Sequence, residues 1–221
     1  SAHELKAGLQ AFQAEQSGRL RIAASFTIAE YLLPQWLGRF ARAHPGDSVA
    51  LEVANSTSVI ERLRDGGADL GFIETTSSLP DLEEQLVGTD ELIAVVGPTH
   101  PWAKRRTVPV EALAATPLVT REAGSGTREA LEDALAALDL GPPTAVLELG
   151  STSAVRSAVL DANSPTVISR LAVAAELETG SLVEIEVKDL AITRSLRAVW
   201  PHRQPLPPLA AQLLDSLGLS A

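Results

Sequence analysis

One octapeptide of this 221-residue chain gathers the groups that could hold a small anion: Arg121-Glu122-Ala123-Gly124-Ser125-Gly126-Thr127-Arg128. Two glycines let backbone amides approach a bound group, two hydroxyls flank them, and a guanidinium lies four residues before Ser125. A helix starting there would add the partial positive charge of its N-terminus. Neither of two common phosphate motifs fits. Glu129 stands where a dinucleotide fingerprint has its third glycine, and the Lys of a P-loop is absent. The same residues would also suit a plain Gly-Ser turn capped by Thr127.

Three further strand ends carry hydroxyls: Ser25 and Thr27, Ser56 to Ser58, and Ser151 to Ser153. A single Ser or Thr in such a place is most often a helix N-cap, so only a set converging on one ligand points to binding. Catalytic patterns are poor. None of His3, His44, His100 and His202 forms an i, i+4 pair that could hold a metal, and His44 and His100 each precede a proline in a turn. Ala123 breaks the alternation of a hydrolase nucleophile elbow around Ser125. Glu83-Glu84 and Glu132-Asp133 are sequence neighbours whose carboxylates point apart. No catalytic residue, metal or cofactor is assigned, and the chain reads as non-enzymatic.

Positioning these loops requires strands alternating with helices, and the hydropathy pattern supplies them. Leu20 to Ala24 reads as a strand, followed by a capping box at Thr27-Ile28-Ala29-Glu30 and a helix burying Ile28, Leu32, Trp36, Leu37 and Phe40, with Pro34 interrupting its first turns. Val49 to Val53, a second capping box at Ser58-Val59-Ile60-Glu61, and strands at Leu70 to Ile73 and Leu92 to Val96 repeat the plan. Gly97-Pro98 then breaks the pattern and is read as a hinge. Beyond it, strands at Leu118 to Thr120, Val146 to Leu149, Thr166 to Ser169, Leu182 to Ile185 and Leu196 to Trp200 alternate with helices, and the last helix carries Leu209 to Leu217. Such alternation predicts α/β architecture with mostly parallel sheets and right-handed crossovers, and two such groups on either side of Gly97-Pro98 predict two lobes.

Composition narrows the partners. With 18 basic and 28 acidic residues the formal charge is −10, and no basic tract is present to track nucleic-acid phosphates. Thiol redox chemistry is excluded by the absence of cysteine. The longest apolar runs fall short of the roughly 20 residues that span a bilayer, so no membrane partner is expected.

Taken together in order and spacing, several segments resemble the effector domain of LysR-type transcriptional regulators. They are Arg19 to Ser25, the Leu32-Leu33-Pro34 to Phe40 helix, His44-Pro45, Asn55-Ser56-Thr57, Asp69 to Glu74 and His100-Pro101-Trp102. The octapeptide is similar to the subgroup that includes regulators of sulfur assimilation and carbon fixation. The resemblance implies a type II periplasmic-binding-protein fold of two Rossmann-like lobes joined by two crossover strands, with lobe I from 18–96 and 196–221 and lobe II from 97–195. Residues 1–17 would end a linker helix from an N-terminal winged helix-turn-helix that makes the DNA contacts. It further implies a cytoplasmic homodimer or tetramer, in which helices after Ser25 and after Ser151 meet and Trp36 and Val155 are apolar members. A small anionic effector, an inorganic oxyanion or a small carboxylate, would lie in the interlobe cleft. A second similarity, to phosphate-binding transport proteins, implies ligand contacts from Ser25, Thr57, Glu74, Arg121, Ser125, Gly126 and Thr127. It keeps open the alternative of a solute-binding protein of an anion transporter. Thr27 joins the candidate set by its place beside Ser25. Where the family often has Gly-x-Gly, this chain has Ala162-Asn163-Ser164-Pro165, and Pro165 offers no amide.

Overall fold

The computed structural model describes residues 19–202 and 204–218; the linker-helix end expected over 1–17 lies outside them. The elements are β1 (Arg19–Ser25), α1 (Phe26–Tyr31), α2 (Leu33–Ala43), β2 (Ser48–Ala54), α3 (Ser56–Arg64), β3 (Leu70–Ile73) and β4 (Leu82–Val96). They continue with α4 (Pro101–Arg105), β5 (Thr107–Pro109), α5 (Val110–Ala115), β6 (Leu118–Arg121), α6 (Gly126–Ala136), β7 (Ala145–Leu149) and α7 (Thr152–Ala162). Last come β8 (Thr166–Ser169), α8 (Arg170–Thr179), β9 (Val183–Lys188), β10 (Ile192–Pro201) and α9 (Pro208–Ser216).

The described residues divide into two compact units, one formed by those up to Gly88 together with those from Ser195 onward, the other by Thr89–Arg194. Both passages fall inside strands, β4 and β10. Gly97-Pro98, read from the sequence as the hinge, instead follows the last residue of β4, when the chain is already inside the second unit.

In the first unit β1 lies between β2 and β3, parallel to both, with Ser25 opposite Ala54 and Ala24 opposite Phe72. The carboxyl ends of three neighbouring strands therefore fall together. β10 returns antiparallel on β3, pairing Ala198 with Phe72. Pro34 sits in the first turn of α2, where a missing amide leaves no helix bond unmade, so the chain forms two helices parted at Leu32. Leu33 and Phe40 bury with Leu20, Ile22, Phe72 and Leu213 in one core. Helix α3 packs closely on β3 because position 71 is glycine: a Cβ there would stand 2.6 Å from Leu63 Cδ1 and 3.0 Å from Val199 Cγ2.

The second unit departs from the parallel expectation. β4 carries the chain inward, and β8 and β9 both run back along it, pairing at Ile93 with Ile168 and at Ala94 with Ile185. Parallel pairing survives between β5 and β9 and between β6 and β7. Val96, Leu113, Leu118 and Leu135, all fully buried, center a separate core. Among the described residues no helix is long and apolar enough to cross a membrane.

Candidate functional site

Strand β6 ends at Arg121 opposite Leu149 of β7, so helices α6 and α7 spring from the same edge of this two-stranded sheet. Arg121 is buried there. Its Nε and Nη2 donate to the Glu122 carboxylate at 2.8 and 2.9 Å, and its Nη1 donates to Thr152 Oγ1 at 2.9 Å. The guanidinium thus pins the octapeptide to the start of α7 with its charge compensated at once by Glu122. Arg128 is likewise committed: it donates to Glu132 and Glu148, each at 2.7 Å, and the hydrogen bond it gives to Glu132 leads the causes that raise its pKa above the ordinary arginine value.

The turn between them presents donors. Gly124 takes a φ of +84°, a conformation open to glycine without strain, and the chain then enters α6 through Ser125. The first amides of any helix lack intrahelical acceptors, which makes Gly126 and Thr127 the natural donors at this end. Ser125 is 1% exposed, and its Oγ has no hydrogen-bond partner. Thr127 Oγ1 accepts a hydrogen bond from Arg194 Nη1 at 3.0 Å. Beneath the turn, a cavity of about 20 Å³ lined by Thr120, Arg121, Thr127 and Arg128 has room for about one water, too little for an effector.

A second cluster forms at the carboxyl ends of β1, β2 and β3 in the first unit. Ser25, Thr27, Ser56, Glu74 and Thr75 are all buried there. Ser25 Oγ has no hydrogen-bond partner, and the Glu74 amide reaches Ser56 Oγ at 3.4 Å. Thr57, the residue that the transport-protein similarity pointed to, is exposed, and its neighbour Ser56 takes the buried place.

The helix starts separate capping serines from others. Asn55 caps α3 by accepting from the Ser58 amide at 3.0 Å, and Ser151 caps α7 by accepting from the Ala154 amide at 3.2 Å. Ser25 and Ser125 occupy the N-cap positions of α1 and α6 but make no side-chain capping bond. Both capping boxes expected from the sequence are thereby corrected. α1 starts one residue before Thr27 and α3 two residues before Ser58, because Ser25 and Asn55 are the residues in extended backbone at the strand ends. Pro165, read as a lost donor, serves as an acceptor instead: its carbonyl takes the Val119 amide at 2.9 Å and helps to hold β6.

Sequence reasoning missed the support of the turn. Arg194 and Asp90, each with a side chain 1% exposed, form an ion pair with Nη2 to Oδ2 at 2.7 Å, and Ser169 Oγ donates to Asp90 Oδ1 at 2.9 Å. A signal was available. β10 alternates buried and exposed residues, and Arg194 shares the buried parity with Ile192 and Leu196.

With this geometry in view, relatives become informative. The LysR substrate binding domain model matches residues 13–219. The chain belongs to the LysR family. This LysR substrate-binding domain is 43% identical over 208 residues to an uncharacterized HTH-type transcriptional regulator of Mycobacterium tuberculosis, covering 90% of this chain and 67% of that protein. It is 32% identical to the HTH-type transcriptional regulator CysL of Bacillus subtilis, covering 87% of this chain and 64% of CysL. The domain thus spans about two thirds of the length of these regulators. The regulatory domain of CcmR from Synechocystis, solved in complex with 2-PG, superposes with a TM-score of 0.81 at 27% identity, covering 90% of this chain and 95% of that one. The LysR domain accordingly has the type II periplasmic-binding-protein fold. HTH-type transcriptional regulators share its sequence over about two thirds of their own length, and the phosphonates import ATP-binding protein PhnC of Anaeromyxobacter dehalogenans is 38% identical to it over 197 residues, covering 88% of this chain but 39% of that protein.

The contrast between caps has a measurable consequence. Ser151→Ala should lower the free energy of urea unfolding by about 0.5 to 2 kcal/mol, the usual worth of an N-cap. Ser125→Ala should leave stability at or above that of the wild type, because no bond is lost. An equal loss in both variants would mean that Ser125 caps α6.

Proposed function

We propose that this LysR domain senses a small anion, an inorganic oxyanion or a small carboxylate, at the start of α6, without catalysing a reaction on it. The observation that carries the reading is the Ser125 hydroxyl, buried at a helix N-terminus between two glycines and without a hydrogen-bond partner. Leaving such a group unsatisfied costs about 1 to 3 kcal/mol, which an anion accepting from it would recover. The amides of Gly126 and Thr127 and the Thr127 hydroxyl complete the donors. Arg121 holds the turn in place and, balanced by Glu122, keeps it nearly neutral. In the first unit, taken by itself, Ser25, Thr27 and Glu74 are the buried candidate contacts, and Thr57 is exposed. The complex of CcmR with 2-PG supports a ligand-binding role, and the names of the relatives support a cytoplasmic regulator whose DNA contacts come from a winged helix-turn-helix outside this domain.

Calorimetry with inorganic phosphate and sulfate tests the α6 assignment. Ser125→Ala should weaken the tighter of the two by about 1.5 to 3 kcal/mol, an order of magnitude or more in Kd. Unchanged affinity would reduce the octapeptide to a turn.

The domain is further proposed to form a homodimer. Val155, expected in the contact, is 1% exposed and faces its own core, and half-buried Trp36 packs against Phe72 with ring centroids 5.9 Å apart. The apolar side chains left to a partner include Leu51 and Val53 on edge strand β2, and Val146 and Leu147 on β7, 38% to 47% exposed. Light scattering at tens of micromolar should give a dimer mass that falls to that of a monomer in Leu147→Glu or Val53→Glu. A monomeric wild type would contradict the pairing.

A further inference from the structure

The oxyanion turn does not stand by itself. Arg194 Nη1 donates to Thr127 Oγ1 at 3.0 Å, while its Nε and Nη2 donate to Asp90 Oδ2 at 2.9 and 2.7 Å. Asp90 is held from its other oxygen by Ser169 at the start of α8. Four elements, β4, β10, α6 and the end of β8, are therefore joined by one network, with the guanidinium bonded to Asp90 and Thr127 and Ser169 bonded to Asp90. All the side chains involved are buried, so the network is closed to solvent competition and its bonds keep their direction.

We propose that Arg194 is the positioning residue of the oxyanion turn: it fixes the Thr127 hydroxyl and ties the N-terminus of α6 to the two strands on which the chain enters and leaves the second unit. The inference rests on the reading of that turn as the anion site, but its structural part can be tested without any anion. Three features carry it. The geometry needs a guanidinium, because one planar group must serve Asp90 and Thr127 in different directions. Arg194 Nη1 occupies a lone pair of the Thr127 oxygen, which restricts the hydroxyl rotor and thereby the direction in which its proton can point. Asp90 neutralises Arg194, so the arginine orients the turn without adding net charge to it. Arg194 is also the last residue of the second unit, and Asp90 lies one residue past its start. Movement at Thr127 is thus conveyed by direct bonds to both crossing strands.

The variant of choice is Arg194→Lys, whose ammonium can still neutralise Asp90 but lacks the planar fork. Asp90→Leu with Arg194→Met removes both charges together and guards against a misfolded single variant, since paired replacement of buried ions by apolar groups is often tolerated. Hydrogen exchange in the absence of anion is read at the amides of Gly126, Thr127 and Arg128, with β1 and β3 as internal references. Both variants should speed exchange at these three amides by about tenfold while the reference strands stay as in the wild type. Thr127→Val should produce the same change, and combining it with Arg194→Lys should add nothing further.

Affinity for inorganic phosphate should fall about tenfold in Arg194→Lys, again without a further fall in the double variant. Exchange accelerated equally throughout the domain would assign the pair a merely structural role and overturn the proposal, as would unchanged exchange at the turn. Wild-type protein that binds neither phosphate nor sulfate, with local exchange still accelerated in Arg194→Lys, would leave the positioning role standing and sink the anion reading alone.

Discussion

A carboxylate and a guanidinium taken almost wholly out of water join the two strands on which the chain enters and leaves the second unit. Asp90 and Arg194 each keep 1% of their side chain exposed. An isolated buried ion costs several kcal/mol, and the mutual attraction of a pair offsets this only when geometry and further hydrogen bonds are good. Both conditions are met. Two guanidinium nitrogens share one carboxylate oxygen, Ser169 takes the other, and the remaining arm of the arginine finds Thr127. The strands that carry the two ions are the ones that the chain uses to pass between units. Through the positioning role proposed for Arg194, the turn before α6 depends on the same pair.

Polar side chains at helix starts divide into two kinds in this LysR domain, although the N-cap residues Ser25, Asn55, Ser125 and Ser151 all hold extended backbone. Ser151 and Asn55 each accept from the backbone amide three residues on, which caps the helix. Ser25 and Ser125 hold the same position in their helices, yet the hydroxyl points elsewhere and meets nothing. A cap missing from one helix is unremarkable. Burial of the uncapped hydroxyl is what separates these serines from surface ones, because a buried polar atom is normally bonded. Neutral donors of this kind also explain how a domain with formal charge −10 can accept an anion: the local field comes from amides and hydroxyls, with Arg121 and Arg128 already matched by carboxylates.

Periodicity made the framework legible in the sequence. Apolar strands from Leu20, Leu70 and Leu118, the helix face of Ile28 and Phe40, and the breaking effect of Pro34 all follow from hydrophobic spacing and proline chemistry, and the structure has them. Details decided by tertiary contacts were not legible. Gly97-Pro98 carries a strong turn signal, but β4 is one continuous strand that serves both units, and nothing local to Gly88 announces the passage. Val155 has the character of an interface residue and the burial of a core residue, because β6 packs against α7. Ser56 and Thr57 differ by one position on a helix, enough to exchange a buried hydroxyl for an exposed one. Arg194 could have been found by asking which charged residue shares parity with buried Ile192 and Leu196, and Asp90 by the same question on β4, where it alternates with Leu92.

Anomalous diffraction offers the most direct test of the anion site. The chain contains neither cysteine nor methionine, so it has no sulfur, and crystals soaked in selenate would owe every strong peak at the selenium edge to bound anion. The account predicts a peak within hydrogen-bond distance of Ser125 Oγ and the amides of Gly126 and Thr127. Peaks confined to other surfaces, with only water at Ser125 Oγ, would contradict it.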